Sequence, residues 1–210
     1  MDITFYKLSI SEFCDKLYSK EAIPGGGSVA ALCSAMASSL CGMVANLTYG
    51  KKKYAEFEED IKNILDKSET LKNKSIELIN EDAESFLPLA KAYSLSSSNE
   101  EEKNYKNKVI QNALKEAVKP PVECIRTSFE IISLLGELAE KGSILALSDV
   151  GVGAMCTLAA IKSAWLTVLI NLNLMDDTDY VNNLRTEMQI LIDKASAECY
   201  EIYSKVEEKL

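Results

Sequence analysis

From Ala22 to Gly50 the chain carries no charged side chain. The run opens as PGGGSVAA, with Pro24 and three glycines, and ends at Gly50 just before Lys51, Lys52 and Lys53. Between those ends stand almost only Ala, Ser, Cys, Leu, Met and Val. Side chains this small let backbones come close, so residues 28–47 are predicted to form a central helix against which other helices pack. The glycine run is expected to stay outside that helix. Glycine reaches backbone angles closed to other residues, and a ligand can come up to the main chain there. The unpaired amides of the helix start beside it also suit an anion. One helix then joins a glycine turn at one end to a cationic cluster at the other.

The rest of the periodicity is helical too. Ser9 and Glu12 are spaced as a capping box and open a short helix to about residue 19, with Ile10, Phe13 and Leu17 on its apolar face. Across residues 53–93, Phe57, Ile61, Ile64, Leu65, Leu71, Ile76, Leu78 and Ile79 recur at three- and four-residue steps. Pro88 is expected to kink or interrupt that helix. Residues 94–102 read as a polar loop. A further helix runs from about 100 to 139 with a break at Pro120 and Pro121. A second apolar run passes through Gly151 and Gly153 and ends near Leu174, with Lys162 the sole charge between Asp149 and Asp176. Asp176, Asp177 and Asp179 then form a turn and cap for a last amphipathic helix. No segment alternates with the two-residue period of a strand. The expectation is therefore all-α: one domain over residues 1–210, built as a bundle of long antiparallel helices. The helices at 28–47 and 152–174 are too apolar to face water on one side, so each belongs at the centre or at a subunit interface.

Composition narrows the function. Apolar residues make up 47% of the 210, enough for a good core, and a net charge of −9 argues against an electrostatic nucleic-acid binder. There is no histidine, and the six cysteines include no C-x-x-C pair, so no metal-ligand spacing stands out. Cysteines dispersed on apolar faces read as reduced, buried thiols of a cytoplasmic protein. The start, MDITFYKLSI, lacks the basic region and apolar run of a leader. The span 22–50 is long enough to test as a membrane segment, but its Ala, Ser and Gly content, with Asn46 and Thr48 inside, reads as a core helix.

Several blocks in order, PGGGSVAA, ANLT at 45–48, GKKKY at 50–54 and SDVGVGA at 148–154, resemble the cyclodeaminase/cyclohydrolase family of folate enzymes. Ordered blocks are far more specific than a lone glycine motif, and the match runs over nearly the whole chain, as expected of a free-standing form. The resemblance implies an all-helical homodimer acting on the one-carbon unit that bridges N5 and N10 of tetrahydrofolate. It implies no metal and no cofactor beyond the folate substrate, and no nucleic-acid or membrane partner. The leading reading is a methenyltetrahydrofolate cyclohydrolase. Formiminotetrahydrofolate cyclodeaminase is the alternative, and a non-catalytic folate-binding or scaffold protein is the rival from another class.

Either reaction passes through a tetrahedral carbon between two nitrogens, so the site needs a proton acceptor, a proton donor and dipoles. Without histidine the work falls to Asp, Glu, Lys, Tyr or a thiol. Asp82, in NEDAESF, matches an acidic position the family keeps ahead of a Phe; a solvated face shared with Glu81 and Glu84 is the plain alternative. Asp149 follows Ser148 at the opening of an apolar helix, either as an N-cap or as a carboxylate at the pterin. Lys52 and Lys53 fit the family pattern for a lysine that polarises the one-carbon unit or steers the glutamate tail. Gly25, Gly26, Gly27 and Ser28 are the binding candidates, with Ser148 and the two amides Asn46 and Asn171, which lie in apolar helices and need partners. Lys162 reads as a snorkelling lysine. Ser143 and Thr167 stand where family members often carry Asn.

Overall fold

The computed structural model describes residues 4–210; residues 1–3, the beginning of the stretch read above for a leader, lie outside the described residues. Among the described residues seven α-helices follow one another: α1 (Ile10–Tyr18), α2 (Gly26–Thr48), α3 (Glu58–Tyr93), α4 (Glu100–Ala117), α5 (Lys119–Lys141), α6 (Leu147–Leu172) and α7 (Thr178–Lys209). Short 3₁₀ turns lie at Phe5–Lys7, Lys52–Phe57 and Ile144–Ala146, and the described residues contain no strand.

Helix α2 is the hub and packs on α3, α5 and α6. Its directions are fixed by residue pairs. Ser28 meets Asp82, Ser34 meets Ser75 and Ser38 meets the Ser68 carbonyl, so α3 runs antiparallel to it. Gly26 lies beside Thr167 and Ala37 beside Gly153, so α6 does too. Helix α7 returns along α6, with Val206 on Gly151. The small residues that mark α2 in the sequence are what permit this approach: Ala30, Ala31, Ala37 and Ala45 are buried. A Cβ added to Gly153 would lie 2.9 Å from Leu135 Cδ2, so the Leu135 side chain of α5 occupies the space that this glycine leaves on α6. Burying serines is tolerated because each finds a partner. Ser34 and Ser75 hydroxyls are 2.8 Å apart, and Ser128 donates to Ser34 at 3.0 Å.

Several local expectations are met for local reasons. The Ser9–Glu12 capping box forms in full. Asp177 caps α7 by accepting from the Tyr180 amide. Pro120 and Pro121 fall in the first turn of α5, where missing amides cost little, and the chain breaks between α4 and α5 at Val118 alone.

Others are corrected. Gly26 and Gly27 belong to the first turn of α2, whose first bond runs from the Val29 amide to Gly25 O at 3.1 Å. A helix start demands no internal amide partners, so glycine is admitted there. Pro88 does not interrupt α3, which continues to Tyr93 because Leu89 and Ala92 hold its last turns in the core. Residues 52–57 form a 3₁₀ turn instead of opening α3, with Tyr54 out of helical geometry at φ −116° and ψ 17°. Ile10 is 85% exposed, and Cys14 is exposed, unlike the buried Cys41, Cys124 and Cys199, whose thiols burial pushes up to about 12.

The two apolar helices are also more hydrophobic than the sequence reading of 22–50 allowed. Windows in Gly26–Thr48 and Ile144–Leu172 reach mean hydropathies of 1.7 and 1.9, apolar and long enough to cross a membrane by composition alone, and 56% of each window is buried in the fold. Each helix is core on one side and open on the other. On the open side stand Met36, Met43 and Leu47 of α2 and Val152, Leu166 and Ile170 of α6.

Candidate active site

The antiparallel packing of α3 on α2 sets Asp82 directly over the start of α2. A Cβ added to Gly27 would lie 1.9 Å from Asp82 Oδ1 and 2.4 Å from its Cγ, so no other residue fits under the carboxyl. Ser28 fixes the other oxygen. Its hydroxyl lies 2.9 Å from Ile79 O and 3.1 Å from Asp82 Oδ2. A hydroxyl has one hydrogen for these two acceptors.

Burial moves the Asp82 pKa above the usual carboxylate range, against the lowering effect of the Ser28 hydroxyl and amide. The alternative of a solvated face is thereby settled residue by residue. Glu81 and Glu84 point to solvent while Asp82 turns inward. A carboxyl that binds its proton more tightly than a solvated one is the stronger base, which suits it to accept a proton and return it.

The carboxyl opens into a cavity of about 270 Å³, lined by residues 25–27, Ala22, Ile23, Phe86, Ala117, Thr167, Ile170 and Asn171 as well. Gly25 and Gly26 are not imposed by packing. A Cβ at Gly25 would meet nothing within 4 Å, and one at Gly26 only Thr167 Oγ1 at 3.9 Å. These two glycines leave bare main chain toward the cavity, next to amides that precede the first intrahelical bond of α2. Asn171 is buried and donates to Thr167 O at 2.9 Å, so the amide sits at the cavity wall with its orientation fixed by its own helix. Phe86 and Ile170 supply apolar walls suited to a flat ring and were not singled out from sequence. Phe86 was legible in principle: it lies four residues after Asp82, hence on the same helix face.

The other expected residues lie elsewhere. Asn46 is exposed near the far end of α2 and donates to Gly42 O, so it is not the buried amide anticipated. Ser148 and Asp149 are in the first turn of α6, but the N-cap position is Ala146, and Asp149 is a first-turn acid instead. Lys51, Lys52 and Lys53 stand exposed just beyond α2. These groups share one end of the molecule: Ser143 N donates to Thr48 Oγ1 at 2.8 Å, and Ile144 N to the Tyr54 hydroxyl at 3.1 Å. At 1.5 Å per residue, the length of α2 separates this end from Gly27 and Asp82 by about 30 Å. Within one chain Lys52 and Asp82 cannot touch the same atom.

A larger cavity of about 510 Å³ lies between α5 and α7. Its Arg126 and Glu187 pair with each other at 2.6 Å near the surface, and it holds no buried ionisable group. Chemistry favours the smaller cavity under Asp82.

Known proteins agree with the sequence blocks. The family pattern described as formiminotransferase-cyclodeaminase matches residues 9–190. Over 202 residues the chain is 39% identical to the methenyltetrahydrofolate cyclohydrolase of Methylorubrum extorquens, covering 96% of this chain and 97% of that one. It is 27% identical over 199 residues to the formimidoyltransferase-cyclodeaminase of Rattus norvegicus, of which it spans 37%. The crystal structure of formiminotetrahydrofolate cyclodeaminase from Thermotoga maritima superposes with a TM-score of 0.80 at 33% identity, over 97% of this chain and 96% of that one. With the fold, the glycine turn and the sequence blocks in agreement, the chain belongs to the formiminotransferase-cyclodeaminase family.

Proposed function

We propose that the protein is a methenyltetrahydrofolate cyclohydrolase that works as a homodimer in the cytoplasm. The observation that carries the reading is Asp82, a buried carboxyl of raised pKa held over a bare glycine turn. The 39% identity to a methenyltetrahydrofolate cyclohydrolase along almost the full length of both chains supports the choice of reaction.

The substrate is a cation whose charge is shared between N5, N10 and the methenyl carbon. Water adds to that carbon, and ionised Asp82 takes one of its protons, leaving a neutral hydroxyl adduct. The C–N5 bond then breaks as N5 receives the proton from Asp82. The adduct's hydroxyl proton leaves to solvent, and the carbon stays on N10 as a formyl group. One water is consumed and one proton released. Phe86 and Ile170 hold the ring, while the amides at the head of α2 offer dipoles to the oxygen of the adduct. The homodimer is supported by the open apolar sides of α2 and α6, which a monomer would leave in water.

The second reading, formiminotetrahydrofolate cyclodeaminase, is favoured by the fold's likeness to the Thermotoga maritima structure. Loss of the 5,10-methenyltetrahydrofolate absorbance, faster than the spontaneous rate, is the expected result with purified protein. Growth of the same absorbance from 5-formiminotetrahydrofolate, with ammonia, would favour the second reading. Silence with both would leave a folate-binding protein.

A further inference from the structure

We propose that Thr167 is a second catalytic residue of the Asp82 cavity, its hydroxyl holding the attacking water so that a lone pair faces the substrate. This role rests on the cyclohydrolase reading and names the group that directs the water.

Three side chains among the cavity's lining residues are polar: Asp82 of α3, and Thr167 and Asn171 of α6. The Asn171 side-chain NH₂ donates back to Thr167 O at 2.9 Å, within its own helix. The Thr167 hydroxyl is not held in that way. Helical threonines can bond the carbonyl four residues back, and Thr48, Thr70, Thr157 and Thr186 do so at 2.7, 3.0, 2.8 and 2.8 Å. Thr167 Oγ1 lies 3.5 Å from Ser163 O, beyond the ordinary range of about 2.5–3.0 Å for such a bond. The same oxygen stands 3.9 Å from where a Cβ on Gly26 would lie. A hydroxyl so loosely bonded to its own helix, at a cavity wall, is open to a ligand.

Its level in the site is set by the glycine turn. Thr167 lies beside Gly26 and Asp82 lies on Gly27, so one residue of α2, about 1.5 Å of rise, separates their levels. Both α3 and α6 run antiparallel to α2 and hence parallel to each other. Phe86 comes four residues after Asp82, and Ile170 three residues after Thr167. Each apolar wall therefore stands one turn further along its helix, in the same direction. The cavity is layered: a carboxyl and a hydroxyl at one level, two walls for a ring at the next.

That arrangement suits a water with two hydrogens to place. One goes to ionised Asp82 and the other to Thr167 Oγ1, while the threonine's own hydrogen stays toward Ser163 O. A water that donates both hydrogens keeps its lone pairs for the methenyl carbon. As the C–O bond forms, the π pair of the C–N bond returns to nitrogen and Asp82 takes the first proton. The second hydrogen stays on the adduct's oxygen, bonded to Thr167, until it leaves to solvent. Thr167 itself neither gains nor loses a proton.

Thr167→Val and Thr167→Ala remove the hydroxyl, and Thr167→Ser keeps it. With 5,10-methenyltetrahydrofolate as substrate, Val and Ala are expected to lower kcat about tenfold or more with KM within about threefold. Ser is expected to recover kcat to within about threefold of wild type. The pH dependence of kcat that Asp82 imposes should keep its midpoint to within about one pH unit in every variant, because the base is untouched. Wild-type kcat in a folded variant without the hydroxyl overturns the role. So does a loss in Ser equal to that in Val, which would assign the effect to packing of the methyl. A larger shift of the midpoint overturns it too, since the lesion would then act through Asp82. A wild type that does not speed the loss of the methenyl absorbance overturns the cyclohydrolase reading, and this role with it.

Discussion

The two ends of α2 hold the same kind of material and treat it in opposite ways. At the N-terminal end one carboxyl, Asp82, is pressed onto Gly27, bonded by Ser28 and withdrawn from water, and its proton affinity rises. At the C-terminal end three lysines stand in solvent, where salt and water screen them. A charge becomes a reagent when its environment is fixed and dry. Left in water it is a source of long-range attraction, until a second surface closes over it.

The contrast is most directly broken at Asp82. Replacing it with Asn keeps the shape and removes the proton acceptor, and turnover of the methenyl substrate should fall by about a hundredfold or more in a steady-state absorbance assay. Retained turnover would make the buried carboxyl no more special than the exposed lysines. Gly27→Ala tests the same group from beneath. The new Cβ must displace a carboxyl that would otherwise lie 1.9 Å away, so stability in urea should drop by about 1–3 kcal/mol and turnover should fall with it.

A third effect is thermodynamic and of the opposite sign. Because burial raises the folded-state pKa of Asp82, its contribution to stability is present below the unfolded pKa and is lost as pH rises through the folded value. Asn bears no such loss. At neutral pH the Asp82→Asn protein should therefore melt at a higher temperature than wild type, and the gap should close as pH falls below the usual carboxylate range. A lower Tm at neutral pH would show that the Ser28 bonds outweigh the burial.

The smallest effects separate binding from folding. Gly25→Ala introduces a methyl into open space, so unfolding should change by less than about 0.5 kcal/mol while KM rises, because the methyl stands where the substrate approaches the main chain. Lys52→Ala should likewise leave stability within about 0.5 kcal/mol, measured by urea melting, since an exposed lysine contributes little to the fold.

Much of the fold was legible because its causes are local. A capping box acts across three residues, an Asp caps the helix that follows it, and a proline pair marks a helix start wherever it occurs. The errors came where a distant contact decided. Pro88 was expected to disturb α3, yet the buried Leu89 and Ala92 carry the helix past it. Asn46 and Asn171 looked alike in sequence, each an amide in an apolar helix. One turned out exposed near the far end of α2, the other buried at the cavity wall, because a helix face is assigned by what packs against it.

The sequence by itself determined the all-helical class, the central small-residue helix, and the blocks that place the chain in its family. Those properties depend on residue size, backbone freedom and short-range hydrogen bonds, which a linear string carries. It could not say which of Glu81, Asp82 and Glu84 would be withdrawn from water, nor that Lys52 and Asp82 would stand at opposite ends of α2. Both were decided by the antiparallel packing of α3 on α2, because a pKa and a distance between sites are properties of surroundings assembled from parts of the chain far apart in sequence.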